Sequence, residues 1–296
     1  MEVLGVAHGG DEGDGLAVGR GDFDALVEPR FLACADVLVE VQPARRRFRA
    51  RLLAWYGRHG RSLPWRETDD PYHILVSEIM LQQTQVDRVL PKYEEWLTKY
   101  PSMHVLAEAP EAEVTKTWYP LGYNIRPRRL QSIAREAVTN YGGQLPSDEE
   151  TLLSFKGIGQ YTAGAIRSFA FRQRAAILDT NVARVLFRVF VGAEGDPKAH
   201  AMKRHLWTLS EALVPRKDVF DFNQALMDFG AMLCSARQPK CLVCPMSPDC
   251  RAFPFTEKPG KPGRPGKPGK PGKGPGTAGR GGGAGKAGKA ARGGGA

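Results

Sequence analysis

Between about residue 45 and residue 253 apolar side chains return every three or four positions, the spacing that lines one face of a helix. Phe48, Leu52, Leu53 and Tyr56 make such a stripe. The run from Ile74 to Trp96 predicts a longer helical stretch, interrupted or restarted near Pro91. Pro101 and Pro110 predict turns around a short helix. Arg128 to Tyr141 is amphipathic and stops at Gly142-Gly143, where glycine tolerates the backbone that ends a helix. Ser147 stands where it would cap the helix carrying Leu152, Leu153 and Phe155, with Glu150 as its capping-box partner. Further helices are expected over Val182 to Val191, His200 to Leu213 and Asp221 to Leu233. No segment alternates convincingly with the period of two of a half-buried strand, so the expected fold class is all-α.

Both ends read differently. Residues 1–44 are rich in Gly and Asp with few apolar clusters, and predict a mostly disordered acidic arm. Cys34 lies in it and is assigned no role. Residues 254–296 repeat Lys-Pro-Gly and then Gly-Ala-Lys. Proline removes donors and glycine adds entropy, so a flexible basic tail is expected, and about four glycine-period units are too few for a collagen helix. The 42 Lys and Arg exceed the 32 Asp and Glu, for a formal charge of +10. Ten of the basic residues and no acid fall between Lys258 and Ala296, so residues 1–257 carry about zero net charge. The tail suits non-specific phosphate contact or solubilisation equally well. No stretch reaches the ~20 apolar residues of a membrane helix, and the N-terminus does not read as a signal peptide.

Four of the five cysteines fall within 17 residues: Cys234, Cys241, Cys244 and Cys250, spaced C-x6-C-x2-C-x5-C. That clustering predicts a metal site in a reducing compartment rather than a disulfide framework. Thiolates alone admit zinc or an iron–sulfur cluster.

Phe155 to Ile166 reads FKGIGQYTAGAI. Gly157 and Gly159 sit between two helical patterns. Glycines there permit positive φ and close approach, and the N-terminus of the following helix suits a phosphate, although ordinary helix–helix turns also use glycine. One helix length later, Asp179-Thr180-Asn181 forms a polar turn inside apolar flanks, where Asp179 also fits an N-cap. In VSEIMLQQTQV (Val76 to Val86), Glu78 stands among Ile74, Val76, Ile79 and Leu81. A carboxyl buried there would have a raised pKa and suit a general acid; on the polar helix face it would be a plain surface glutamate.

Together these motifs resemble the base-excision glycosylases of the endonuclease III and MutY families, and most closely the MutY-type adenine DNA glycosylases. The resemblance covers Leu63 to Cys250. It includes LPWR (Leu63 to Arg66), the Glu78 motif, LGY (Leu121 to Tyr123), the glycine hairpin, the Asp179 turn, FNQALMDFGAMLC (Phe222 to Cys234) and the cysteine loop. It implies two helical lobes around a DNA-binding cleft, with a helix-hairpin-helix at Gly157 and Gly159. One lobe would span 72–190. The other would join 45–71 to 191–253, where Cys234, Cys241, Cys244 and Cys250 hold a [4Fe–4S] cluster. It implies that Glu78 protonates a flipped adenine and helps activate water, while Asp179 stabilises the positive sugar. Tyr161 and Asn181 would hydrogen-bond around these acids. Trp65 and Arg66 would border the adenine pocket. Gln83, with Gln82 beside it, and the wedge Tyr123 would enter the duplex, and Arg237 and Lys240 would meet DNA phosphates.

Endonuclease III-like lyases carry a lysine where this chain has Tyr161. A phenol forms no Schiff base, so the resemblance implies a monofunctional enzyme. Its partner would be duplex DNA with an adenine mispaired with 8-oxoguanine or guanine, and it would be a monomer of the bacterial cytoplasm. Two departures matter. Asn124 replaces a second tyrosine, and after Arg251 the tail leaves no room for the family's Nudix-like domain, so weaker discrimination of 8-oxoguanine from guanine is expected. Thymine/uracil mismatch glycosylases, which also carry a tyrosine at the Tyr161 position, are the alternative; a non-catalytic iron–sulfur DNA-binding module is the less favoured one.

Overall fold

The computed structural model describes residues 34–123 and 125–255, the first ten of them as backbone only. Residues 1–33 of the expected arm over 1–44, residues 256–296 of the expected tail over 254–296, the Cys34 side chain and Asn124 lie outside the described residues. Among those described the fold is all-helical, with no strand.

Eleven helices follow in order: α1 (Cys34–His59), α2 (Pro71–Leu81), α3 (Val86–Lys99), α4 (Met103–Glu108), α5 (Glu111–Trp118), α6 (Ile125–Tyr141), α7 (Glu149–Ser154), α8 (Gln160–Phe169), α9 (Thr180–Leu186), α10 (His200–Leu213) and α11 (Val219–Asp228). Helix α1 begins at Cys34, inside the 1–44 stretch expected to be a disordered arm.

Local chemistry sets several boundaries. Asp70 accepts from the backbone of Tyr72 (2.7 Å) and His73, with Pro71 at the first helical position, and so starts α2. Helix α7 is capped by Asp148, which accepts from Thr151 N at 2.8 Å; the expected Ser147–Glu150 box does not form, because the carboxylate one residue later takes the capping position. The expected break at Pro91 is also displaced. Helix α3 runs through Pro91, and the chain turns instead over 82–85, where Gln83 adopts a left-handed backbone with φ +57°. Helices α9 and α11 each continue into a π-helical turn, Phe187–Val191 and Phe229–Leu233. Both turns border the cysteine loop: Cys234 caps the second, and in the first Arg188 O and Val189 O accept from Ala252 N and Arg251 N.

The helices pack as two groups. Helix α2 lies against α3, α6 and α8, while α6 also carries α4 and α5. The buried rings of Trp96, Tyr100 and Trp118 meet edge to face, Trp96 standing 4.9 Å and 5.4 Å from the other two. In the second group α1 and α9 both pack on α10 and α11, and α11 reaches across to α8. Helix α9 therefore belongs with the cysteine-bearing group. The passage between groups falls over 170–179 rather than at the expected residue 190, which sets Asp179 on the seam.

Candidate active site

A cleft of about 1390 Å³ opens along that seam. Glu78, Tyr161, Asp179, Asn181, Trp65, Arg66, Gln82 and Gln83 all line it. Tyr123, Gly157, Gly159, Arg237 and Lys240 do not line the cleft, and the four cysteines ring a separate small pocket.

Glu78 settles the choice left by its sequence pattern, for it is buried, 5% exposed, in the last turns of α2. Burial pushes its pKa up to about 7; the neighbouring Tyr161 hydroxyl opposes the shift, the Asp179 charge adds to it, and Arg66 opposes it more weakly. Near neutrality this carboxyl is poised between its two forms. The hydroxyl of Tyr161, in the first turn of α8, lies beside Glu78 but has its aligned hydrogen bond to Met227 Sδ, at 3.9 Å. Burial, reinforced by both carboxylates, keeps it a neutral phenol.

Asp179 caps α9. One carboxylate oxygen accepts from Val182 N (2.6 Å) and the other from Asn181 Nδ2 (3.0 Å). Burial raises its pKa and these donors lower it, with a net upward shift. The capping role and a chemical role thus fall on the same side chain. Behind this turn Gly230 is packed so closely that a Cβ there would lie 2.8 Å from Asn181 Cβ. A larger residue at 230 would push the turn into the cleft.

Arg66 and Trp65 border the cleft but are firmly held. Asp228, fully buried, accepts two bonds from Arg66 (2.8 and 2.9 Å) and three from Arg61 (2.6 to 3.0 Å). Burial alone would raise the Asp228 pKa, but the two guanidinium groups outweigh it and hold it below the usual range. The buried Trp65 ring meets Tyr93 edge to face at 5.3 Å.

Outside the cleft, Tyr123 is 62% exposed at a left-handed position with φ +51°. In the glycine hairpin Gly157 takes φ +117°, which only glycine adopts freely. Gly159 has an ordinary backbone and open space where a Cβ would stand, so nothing in the folded chain requires glycine there. The first turn of α8 has no side-chain cap and keeps free N–H groups.

Around the cysteine pocket, Arg188 donates to Ser235 O and Ala236 O, both at 2.7 Å, and lies 3.6 Å from Cys234 Sγ. Backbone N–H groups of Met246 and Ala252 point to the sulfurs of Cys244 and Cys250. Burial pushes the Cys244 thiol up to about 11. Among the described residues no three His, Cys, Asp or Glu side chains converge tightly enough for a single metal ion. Arg237 and Lys240 are exposed on this loop.

A family model described as "HhH-GPD superfamily base excision DNA repair protein" matches residues 76–212. The thymine/uracil-DNA glycosylase of Methanothermobacter thermautotrophicus is 36% identical over 207 residues, 70% of this chain and 93% of that protein. The chain belongs to the HhH-GPD superfamily of base excision DNA repair proteins. A solved structure of a thermostable thymine-DNA glycosylase shares the HhH-GPD fold with TM-score 0.66 and 35% identity, over 71% of this chain and 96% of that one. The adenine DNA glycosylase of Mus musculus is 44% identical over 216 residues, 70% of this chain and 42% of that protein. The chain spans about two fifths of the length of the mouse, human and rat adenine glycosylases.

Sequence reasoning missed the arginines that assemble this HhH-GPD site. Arg184 donates to Asn181 Oδ1 (2.8 Å), Gly230 O (2.7 Å) and Cys234 O (2.9 Å), tying the Asp179 turn to the cysteine loop. Its signal was faint: an arginine one helical turn after Asn181, in a helix otherwise apolar. Arg126, Arg188 and the buried acid Asp228 gave none, because patterning treats charged residues as surface.

Proposed function

We propose that the protein is a monofunctional DNA glycosylase that removes adenine mispaired with 8-oxoguanine or guanine in duplex DNA, in base excision repair. The observation that carries this reading is the pair of acids in one cleft: Glu78, buried with its pKa raised to about 7, beside the capped carboxylate Asp179. A buried acid with a raised pKa beside a carboxyl held by two hydrogen-bond donors matches a reaction that develops charge of both signs.

In the proposed reaction the adenine is turned out of the stack into the cleft. Glu78 gives its proton to N7. The C1′–N9 bond breaks, its electron pair leaving with the base, and Asp179 stands against the oxocarbenium-like sugar. Water adds to C1′ and its proton passes to Glu78. Tyr161, as a neutral phenol, supports Glu78 and forms no covalent bond to the sugar. Gln83 and Tyr123 fill the gap in the duplex. The uncapped N-terminus of α8 and the sterically unneeded Gly159 suit a closely approaching phosphate.

We also propose that Cys234, Cys241, Cys244 and Cys250 hold a [4Fe–4S] cluster that fixes the Arg237–Lys240 loop against phosphates. In support, all four cysteines line one pocket, and backbone N–H groups and Arg188 are directed at sulfur.

The relative matched over nearly its whole length acts, by its name, on thymine and uracil, which sustains the mismatch reading as the second one. Single-turnover assays on duplexes with A opposite 8-oxoguanine, A opposite G, and T or U opposite G, read with and without alkali, decide between them. Adenine release with strand breakage only after alkali is expected. Thymine or uracil release with adenine untouched would overturn the adenine assignment.

A further inference from the structure

Arg126 lies at the start of α6 and is 4% exposed, with no acid among its hydrogen-bond partners. Its guanidinium serves two turns at once. On one side it donates to Ile79 O (3.1 Å), Met80 O (3.0 Å), Gln82 O (2.5 Å) and Thr84 Oγ1 (3.1 Å). On the other it donates to Leu121 O (3.0 Å) and Gly122 O (3.2 Å). Its plane also lies 5.2 Å from the Trp118 ring and 5.3 Å from the Tyr123 ring. The indole of Trp118 donates to Gly122 O at 2.9 Å and steadies the second turn.

Each turn holds a left-handed residue that is not glycine, Gln83 at φ +57° and Tyr123 at φ +51°. Such a backbone persists only where surrounding contacts over-determine it. Here the contacts converge on one side chain. Gln83 and Tyr123 are also the two exposed side chains assigned above to enter the duplex.

We propose that Arg126 is a positioning residue that locks the 82–85 and 121–123 turns into one rigid blade, so that Gln83 and Tyr123 enter DNA together. The proposal rests on the glycosylase reading, because it is DNA opening that gives the blade its purpose. Lysine cannot replace the clamp. It offers a point charge with three donors and no planar fork, and cannot span two turns while stacking on a ring. An independent blade of two loops would open the duplex with poor register, and misplacement by about 1 Å costs on the order of 100-fold in rate.

The test compares the full-length holoprotein with R126K and with the milder T84V, which removes one acceptor of the guanidinium together with the hydroxyl's own bond to Gln82 O. Opening is read by the fluorescence of 2-aminopurine placed beside the mispair. Excision is read as the single-turnover rate at saturating enzyme, on A opposite 8-oxoguanine and on A opposite an abasic site, which is already unpaired. The expected result for R126K is a largely lost fluorescence rise and a rate lower by about 100-fold on the mispair. Matched-duplex affinity should be unchanged, and much of the rate should return on the pre-opened substrate. T84V should show the same pattern more weakly, and keeps the test valid if R126K does not fold. Wild-type fluorescence and rates in folded R126K, or equal losses on both substrates in both variants, would overturn the proposal. The fluorescence reports opening without excision, so the clamp is tested even if the wild-type protein releases no adenine.

Discussion

Glu78 is 5% exposed within a helix, whereas Tyr123 is 62% exposed in a turn and Gln83 is exposed a few residues beyond Glu78. The floor of the cleft and its rim solve different problems. At the floor, burial perturbs the acid and short local bonds hold it: Asp179 by its own helix end, Tyr161 by α8. At the rim the side chains proposed to meet DNA must stay free, so burial is not available. Their geometry is imposed from beneath, by Arg126 reaching six acceptors. Chemistry is tuned by taking a group out of water; penetration is tuned by fixing the backbone of groups left in it.

Perturbing the floor should have the largest effect and spare binding. Glu78→Gln should lower single-turnover excision by about 1000-fold or more while leaving duplex affinity near wild type. It also carries a stability signature. The folded pKa of Glu78 is raised from 4.5 to about 7, so its contribution is fully present below pH 4.5 and is lost as pH rises to 7. Glu78→Gln should therefore stabilise the protein above pH 7 by up to about 3 kcal/mol and do little at pH 4, as read by chemical denaturation at the two pH values. Loss of affinity equal to the loss of rate would show that floor and rim are not separable.

Between floor and rim stands Asp228, with two guanidinium groups and no exposure. Asp228→Asn leaves Arg61 and Arg66 without their charge partner and should cost about 3–5 kcal/mol, measured by urea unfolding. A surface-like cost below ~1 kcal/mol would mean that the cleft wall does not depend on it.

Removing the proposed cluster by chelation, or by Cys241→Ser, should weaken binding to matched and mispaired duplexes alike, because the Arg237–Lys240 loop would lose the anchor proposed for it. A salt titration of affinity should show a shallower slope by ~1–2 phosphate contacts. Smallest of all should be Arg47→Ala. Its ion pair with Asp249 joins α1 to the cysteine loop at 3.1 Å, but Arg47 is half exposed and Arg51 holds the same acid at 2.6 Å. No resolvable shift of the urea unfolding midpoint is expected.

The same contrast explains what the sequence disclosed. Apolar periodicity marks buried faces, so the all-helical fold and the surroundings of Glu78 were legible. Cysteine spacing and the motif order carried the rest of the site. The break at Gln83 was misplaced to Pro91 because proline is a visible local signal, while a left-handed glutamine depends on Arg126, distant in sequence. Asp148 takes the cap expected of Ser147, because adjacent capping residues differ by too little for a pattern to separate. Arg126, Arg184, Arg188 and Asp228 escaped notice for one reason. Each is a buried or half-buried charged residue with partners far along the chain, and only tertiary structure brings them together.

The most direct test of the account is the pH dependence of single-turnover adenine release by the wild-type protein and Tyr161→Phe. The rate should fall as pH rises through about 7, as Glu78 loses its proton. Tyr161→Phe removes an interaction that lowers the Glu78 pKa, so its alkaline limb should move to higher pH. A wild-type rate that stays flat well above pH 7, with no limb for Tyr161→Phe to displace, would contradict the claim that a buried, protonated Glu78 is the acid that releases the base.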